Sequence, residues 1–227
     1  MSEIMLQISD MKDATLDLKS RILARIGNGA QRGVWTPQDF LDLGMRGAVD
    51  KTLQRLVRAG NLRRIDRGLY DKPSINSLTQ KCSPPDPRHV IDAIARRDQI
   101  RVLVDGMTAA NDLGLTNAVP AKIVVHADAR LKSIPLGQME IIFKPTAASK
   151  LYWAGRPAMR IVQALHWLRD TMGQGDEAQI LIRRLNAILH NPADGRILRE
   201  DLFEGLPTLP TWMQNLLRPM LKEEVGS

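Results

Sequence analysis

Cysteine is almost missing from this 227-residue chain, with Cys82 the single copy. One thiol excludes an intrachain disulfide and any metal site built on several cysteines. The four histidines, His89, His126, His166 and His190, lie too far apart for the i, i+4 pair of a helical metal site. Each reads as a surface residue or a hydrogen-bonded core residue. Aromatics make up only 4% of the chain, which argues against a single-strand or RNA reader built from stacked bases. Trp153, Trp167 and Trp212 therefore read as packing residues. No run of 18 apolar residues occurs and no secretory h-region opens the chain, so a soluble cytoplasmic protein without a membrane partner is expected. Glycine-rich phosphate loops are also missing. "VDGMTAANDLGL", with Gly106 and Gly114, fits neither G-x-G-x-x-G nor G-x-x-x-x-G-K and reads as a structural strand-turn-helix. There is no G-x-S-x-G, Cys82 has no activating base nearby in sequence, and no carboxylate pair stands out by spacing. The expectation is a non-enzyme, with no catalytic residue, no cofactor and no metal.

What is present is a core and a positive charge. Hydrophobic residues reach 44%, enough to bury an interior and to exclude wholesale disorder. The net charge is +7 and the pI about 9.8, a balance that attracts polyanions. The charge is uneven. From Leu43 to Lys72 there are eight basic residues against three acidic ones, whereas residues 151–227 carry nine of each sign.

Along the chain, residues 1–12 read as a loose leader. Thr15 to Gly27 carry one apolar stripe (Leu18, Ile22, Leu23, Ile26) and read as a helix stopped at Asn28-Gly29. In "WTPQDFLDLG", Thr36 is an N-cap, Pro37 a first helical residue and Asp39 the acid of a capping box. Trp35 and Phe40 are spaced as a hydrophobic staple, and Gly44 ends the short helix. A third helix spans Ala48 to Ala59. Its period points Ala48, Val49, Leu53, Leu56 and Val57 inward and Lys51, Thr52, Gln54, Arg55 and Arg58 outward. Leu62, Ile65, Leu69 and Tyr70 flank Asp66-Arg67-Gly68, which reads as a three-residue hairpin loop. Pro73 ends the second strand, and 81–87 reads as a linker.

The next segment, 84–150, reads as a small α+β unit. A helix starts at Asp86-Pro87, with Val90, Ile91, Ile94 and Ala95 inward and Arg96-Arg97 at its end. A strand over 101–104, a short helix from Gly106 to Leu113, and strands over 123–126 and 139–143 follow. Residues 154–223 read as helical, with stripes at Ile161, Val162, Leu165, Leu168 and at Ile180, Leu181, Leu185, Ile188, Leu189. Asp194 and the Thr208/Thr211 region mark two further starts. The expected fold is mainly α with small β elements, an α+β class. It comprises a winged helix-turn-helix over 13–80 and a C-terminal domain over 84–227.

A short capped helix, a tight turn, an amphipathic helix and an arginine-bearing hairpin are the parts of a winged helix-turn-helix. On this reading Lys51, Thr52, Gln54 and Arg55 approach base edges of double-stranded DNA, and Arg46 and Arg58 hold phosphates. Arg63, Arg64 and Arg67 grip backbone or minor groove, and Thr36 offers a helix N-terminus to a phosphate. Paired half-sites on an inverted repeat suit such a repressor. A module that binds protein, with the winged helix as scaffold, remains the alternative.

The stretch "GVWTPQDFLDLGMRGAVDKTLQRLVRAGNLRRIDRGLYDKP" resembles the N-terminal winged helix of the AbiEi-type antitoxins of bacterial abortive-infection systems, above all their stand-alone DUF6088-like branch. "DPRHVIDAIARRD" and "GMTAANDLGLTNAVPAKIVV" resemble it too, so the likeness spans about residues 20–190. Where that family's pattern has a serine or threonine to cap the third helix, this chain has Met45-Arg46-Gly47. The resemblance implies the antitoxin of a type IV toxin–antitoxin system that represses its own operon. It also implies a C-terminal region that counters a nucleotidyltransferase-like toxin without a tight stoichiometric complex. A plain transcriptional regulator without antitoxin activity stays open beside it.

Overall fold

The structure, a computed structural model, describes residues 17–28, 33–78, 80–118, 120–170 and 175–221. The leader read over 1–12 and the start of the first helix at Thr15 lie outside the described residues. The chain divides into two compact units between Ile100 and Arg101. Its elements are mixed helix and strand, the α+β class expected.

In the first unit, α1 spans Leu18–Asn28, and the Asp17 carboxylate accepts the Ser20 N–H at 2.8 Å in its first turn. Strand β1 (Val34–Trp35) leads into a 3-10 turn, Pro37–Phe40. That turn is shorter than the helix expected over Thr36 to Gly44. The capping box does form, and Asp39 accepts the Thr36 N–H at 2.7 Å. The Trp35 and Phe40 rings stack at 5.6 Å, as a staple requires. Helix α2 is Arg46–Arg58 and begins two residues before the expected Ala48. Met45 supplies extended backbone at its start but no side-chain cap.

Strands β2 (Arg63–Asp66) and β3 (Leu69–Asp71) form the hairpin, and β3 lies in the middle of a three-stranded antiparallel sheet in the order β1-β3-β2. Because Asp66 pairs with Leu69, only Arg67 and Gly68 remain in the loop, not the three residues expected. The surplus residue sits in the strand instead: pairing jumps from Arg64–Tyr70 to Asp66–Leu69, so Ile65 is a bulge. Gly68 takes φ +69°, the left-handed conformation glycine tolerates.

The core of this unit joins Ile22 and Ile26 of α1, Trp35, Phe40, Val49, Leu53 and Leu56 of α2, Leu62 and Tyr70. Full burial of each large apolar side chain contributes about 1.5–3 kcal/mol, so this stripe-on-stripe contact is what makes a helix as polar as α2 form. Ala48, expected inside, is exposed. At roughly 100° per residue it falls beside Arg55 and away from Val49 and Leu53. Helix α3 (Pro87–Asp98) closes the unit, with Asp86 as N-cap and Gln99 in the left-handed region at its end. It packs on β1 and β3, burying Val90, Ile91, Ala93 and Ile94. The first unit thus takes in the helix that the sequence reading placed with the C-terminal domain.

The second unit holds β4 (Val102–Val104), α4 (Gly106–Asp112), β5 (Lys122–Ala127), β6 (Ile134–Leu136) and β7 (Met139–Pro145). The sheet order is β4-β5-β7-β6, with β5 and β7 parallel and both outer pairs antiparallel. Strand β6 was not expected. It is three residues long with a proline at its centre, a pattern tolerated only at a sheet edge. Asp105 caps α4, accepting the Thr108 N–H at 3.0 Å and hydroxyl at 2.8 Å, and also takes the Val124 N–H at 3.0 Å. Helices α5 (Met159–Leu168), α6 (Asp176–Leu189), α7 (Gly195–Gly205) and α8 (Thr211–Leu221) complete it. Arg156 pairs with Asp201 at 2.7 Å and Glu204 at 2.9 Å and lies over the Tyr152 ring at 4.8 Å. Among the described residues, no helix is long and apolar enough to cross a membrane.

Helix α4 meets α5 at Gly106, where a β-carbon would lie 2.5 Å from Trp167 Cβ and 2.6 Å from the Gln163 carbonyl oxygen. A backbone obstacle cannot swing aside, so Gly106→Ala is expected to destabilise by about 2–3 kcal/mol. Gly47→Ala, with nothing within 4 Å, is expected to be neutral or to gain up to about 1 kcal/mol. Urea unfolding of both variants checks the pair. Equal midpoints would mean that α4 and α5 do not approach this closely.

Candidate functional site

Helix geometry sorts the residues of α2. Val49, Leu53 and Leu56 are buried, and the opposite face carries Gly47, Lys51, Gln54, Arg55 and Arg58, all exposed. None of Lys51, Gln54, Arg55 and Arg58 has a side-chain hydrogen bond or ion pair among the described residues. Three cations are thus held on one helical face with no acid to neutralise them. Gly47 and Ala48, at the start of the same face, project almost nothing. Their smallness leaves the backbone there open to close approach by a large partner.

Two of the α2 residues expected to meet DNA, Thr52 at the bases and Arg46 at a phosphate, behave differently. Thr52 is half-buried, and its hydroxyl donates to the Ala48 carbonyl at 2.8 Å within its own helix, so its donor is already committed. Arg46 is exposed but pairs with Asp50 at 3.0 Å, one turn on, and that pair is worth only a few tenths of a kcal/mol. Arg46 can exchange that partner for a phosphate at small cost.

Thr36 is not placed to meet an anion. It is 1% exposed, and both its N–H and its hydroxyl donate to Asp39, the hydroxyl at 3.0 Å. The start of the 3-10 turn is therefore already filled by a carboxylate, which would repel a phosphate. The turn is further braced from α1. Arg25 donates to the Asp39 carbonyl at 2.8 Å and grips Asp42 through both carboxylate oxygens, and Arg21 donates to the Leu43 carbonyl at 3.1 Å. The Arg25 hydrogen bond holds the Asp42 carboxyl below its ordinary range.

The three hairpin arginines have different fates. Arg63 turns inward. It forms a two-pronged ion pair with Asp71, which is 4% exposed, and a second edge of its guanidinium donates to the Ser83 carbonyl at 2.8 Å. The Asp71 hydrogen bond pushes the guanidinium pKa up still further. An arginine so engaged is a structural clamp and has no fork left for a nucleic-acid phosphate. Arg64, the next residue, points to the other face of the strand and is exposed, with one long 3.4 Å contact to the Asp66 carbonyl. Arg67 at the loop is exposed, and its side chain has no partner among the described residues. Lys72, just past β3, is also exposed.

Sequence reasoning missed the residues that hold this hairpin from behind. Arg97 of α3 donates to the Arg67 carbonyl at 2.5 Å, and Arg96 donates to the Val34 carbonyl at 3.3 Å and lies 3.8 Å from the Asp39 carboxylate. The sequence marked both only as basic residues at a helix end. No sequence signal shows which loop a helix end will face 30 residues away. Among the described residues, no group of three or more His, Cys, Asp or Glu is arranged to hold a metal ion.

The chain belongs to the family described as a family of unknown function (DUF6088), whose match covers residues 21–197 and so takes in most of the first unit and part of the second. No curated protein matches it.

The division of labour among the hairpin arginines is measurable. Arg63→Ala is expected to lower stability by roughly 2–4 kcal/mol, because it strands a buried carboxylate. Arg64→Ala and Arg67→Ala should stay within about 0.5 kcal/mol of the unmodified chain. Denaturant midpoints that ranked Arg64 or Arg67 level with Arg63 would contradict this assignment.

Proposed function

We propose that the chain is a sequence-specific, cytoplasmic DNA-binding repressor that reads double-stranded DNA with α2 and the β2–β3 hairpin. It acts as the antitoxin of a type IV toxin–antitoxin system and represses its own operon. The observation that carries the DNA reading is the outward face of α2, with Lys51, Gln54, Arg55 and Arg58 exposed and uncommitted. Cations that serve no internal pair can meet a polyanion without breaking one, and an α-helix of this size fits the major groove. The order helix, 3-10 turn, helix and hairpin, with β1 added to the hairpin, supports a winged helix-turn-helix. Within it, Arg55 and Gln54 read base edges, Lys51 approaches the groove beside them, and Arg46 and Arg58 hold phosphates. Arg64 and Arg67 contact the backbone from the hairpin. The roles expected of Thr36, Thr52 and Arg63 drop out, since their polar groups are spent inside the fold. The antitoxin role rests on the likeness of residues 20–190 to the AbiEi-type family, with a nucleotidyltransferase-like toxin as functional partner.

A labelled duplex from the region upstream of the chain's own reading frame is the probe for a gel shift. Arg55→Ala is expected to weaken binding by about 1–3 kcal/mol on the cognate duplex and less on unrelated DNA. Arg67→Ala should weaken all sequences alike and lower the salt slope by about 0.9. Full binding by Arg55→Ala would misplace the reading helix. Recovery of a protein but no DNA in a pull-down from the native host would favour the interaction-module alternative. For the antitoxin role, growth arrest by a neighbouring nucleotidyltransferase-like protein should be relieved by co-expressing this chain, and persistence of the arrest would leave a plain regulator.

A further inference from the structure

The loop of the hairpin is pinned by Arg97, a half-buried residue whose guanidinium donors are taken up within the fold. The Arg97 guanidinium donates to both oxygens of Asp98, at 2.8 and 2.7 Å, and with its remaining edge to the carbonyl of Arg67. Its stem runs beside Gly68, where an added β-carbon would lie 3.6 Å from Arg97 Cδ and 3.8 Å from Pro37 Cδ. The Arg97 carbonyl in turn accepts from the Gln38 side chain at 3.3 Å. A two-residue loop that would otherwise be free to swing is therefore bonded at its apex to the end of α3 and walled by the 3-10 turn.

We propose that Arg97 is a positioning residue for DNA binding: it touches no nucleic acid, and it fixes the loop so that the Arg67 side chain is presented in one direction. This inference rests on the DNA reading of the hairpin given above. A planar fork with donors on two edges can serve a carboxylate and a carbonyl at once, which a lysine ammonium on its flexible stem does less rigidly. Asp98 supports the device by holding the fork in plane. Holding the Arg67 backbone before binding removes an ordering cost that DNA binding would otherwise have to meet.

The test is a double-mutant cycle on the full chain with the same upstream duplex. Arg97→Ala is expected to weaken binding about five- to tenfold and to lower the salt slope by the same step as Arg67→Ala. The double variant Arg97→Ala/Arg67→Ala should bind no more weakly than Arg67→Ala alone, because both changes remove one contact. Asp98→Ala, which keeps the arginine charge and loosens its fork, should shift affinity in the same direction and covers the case in which Arg97→Ala fails to fold. Hydrogen exchange in the absence of DNA gives a second readout: the amides of Gly68 and Leu69 should exchange faster in Arg97→Ala and unchanged in Arg67→Ala. Losses that multiply in the double variant would mean that Arg97 itself contacts DNA, and unchanged binding with unchanged exchange would mean that the loop does not need it. Either result overturns this inference while leaving the DNA reading in place. A wild-type chain that binds neither the upstream duplex nor any other DNA removes both.

Discussion

A carboxylate in the middle strand of a small sheet has to find a cation, and that requirement organises the N-terminal unit. Asp71 lies on β3, which has β1 on one side and β2 on the other, and all three residues of β3 are buried. Leaving a charge there unpaired would cost several kcal/mol. Arg63 is its register partner on β2 and meets it with two parallel N–H donors. Once that pair forms, the register of the hairpin is set, and the alternation of the strand sends Arg64 to the opposite face. The same arginine reaches the Ser83 carbonyl and so ties the hairpin to the chain leaving it, where Ile75 bridges Cys82. One ion pair therefore decides both the shape of the hairpin and which of its arginines remain available.

Arginine elsewhere in the chain often serves a second purpose that has nothing to do with polyanions. Arg21, Arg25 and Arg97 in the first unit, and Arg184 and Arg199 in the second, each donate to a backbone carbonyl in a turn or at a helix end. Carbonyls at such places have no partner in a helix or a sheet, and a long charged donor satisfies them without burying its whole length. The positive balance of the sequence is thus partly a record of how its turns are stapled. Only the arginines left over after this service, chiefly those on α2 and at the hairpin loop, bear on what the surface can bind.

Local chemistry was legible where a short stretch contains its own partners. The Thr36–Asp39 capping box, the Trp35–Phe40 staple, the left-handed Gly68 and the apolar stripe of α2 each depend on residues within a few positions, and all were readable in advance. Errors came where the partner was distant or the pattern weak. The start of α2 shifted to Arg46, where no capping side chain marked it. The loop lost a residue to a bulge at Ile65, which nothing nearby announces. Strand β6 is too short and proline-bearing to show as a pattern. Ala48 was assigned inward from its apolar character, although its angle on the helix belongs to the charged face.

The sequence by itself determined that this chain would build an α+β protein, with a capped turn, an amphipathic helix and an arginine-bearing hairpin in that order. Periodicity, caps and glycines act over a few residues, and a reader of the string has those residues in view. Tertiary structure alone decided which polar groups stay free. Arg63 was spent on Asp71 across a strand and Arg97 on a loop 30 residues earlier, while Lys51, Gln54, Arg55 and Arg58 were left open. Availability is settled by burial and by competition among partners brought together through space, and neither exists until the chain has folded.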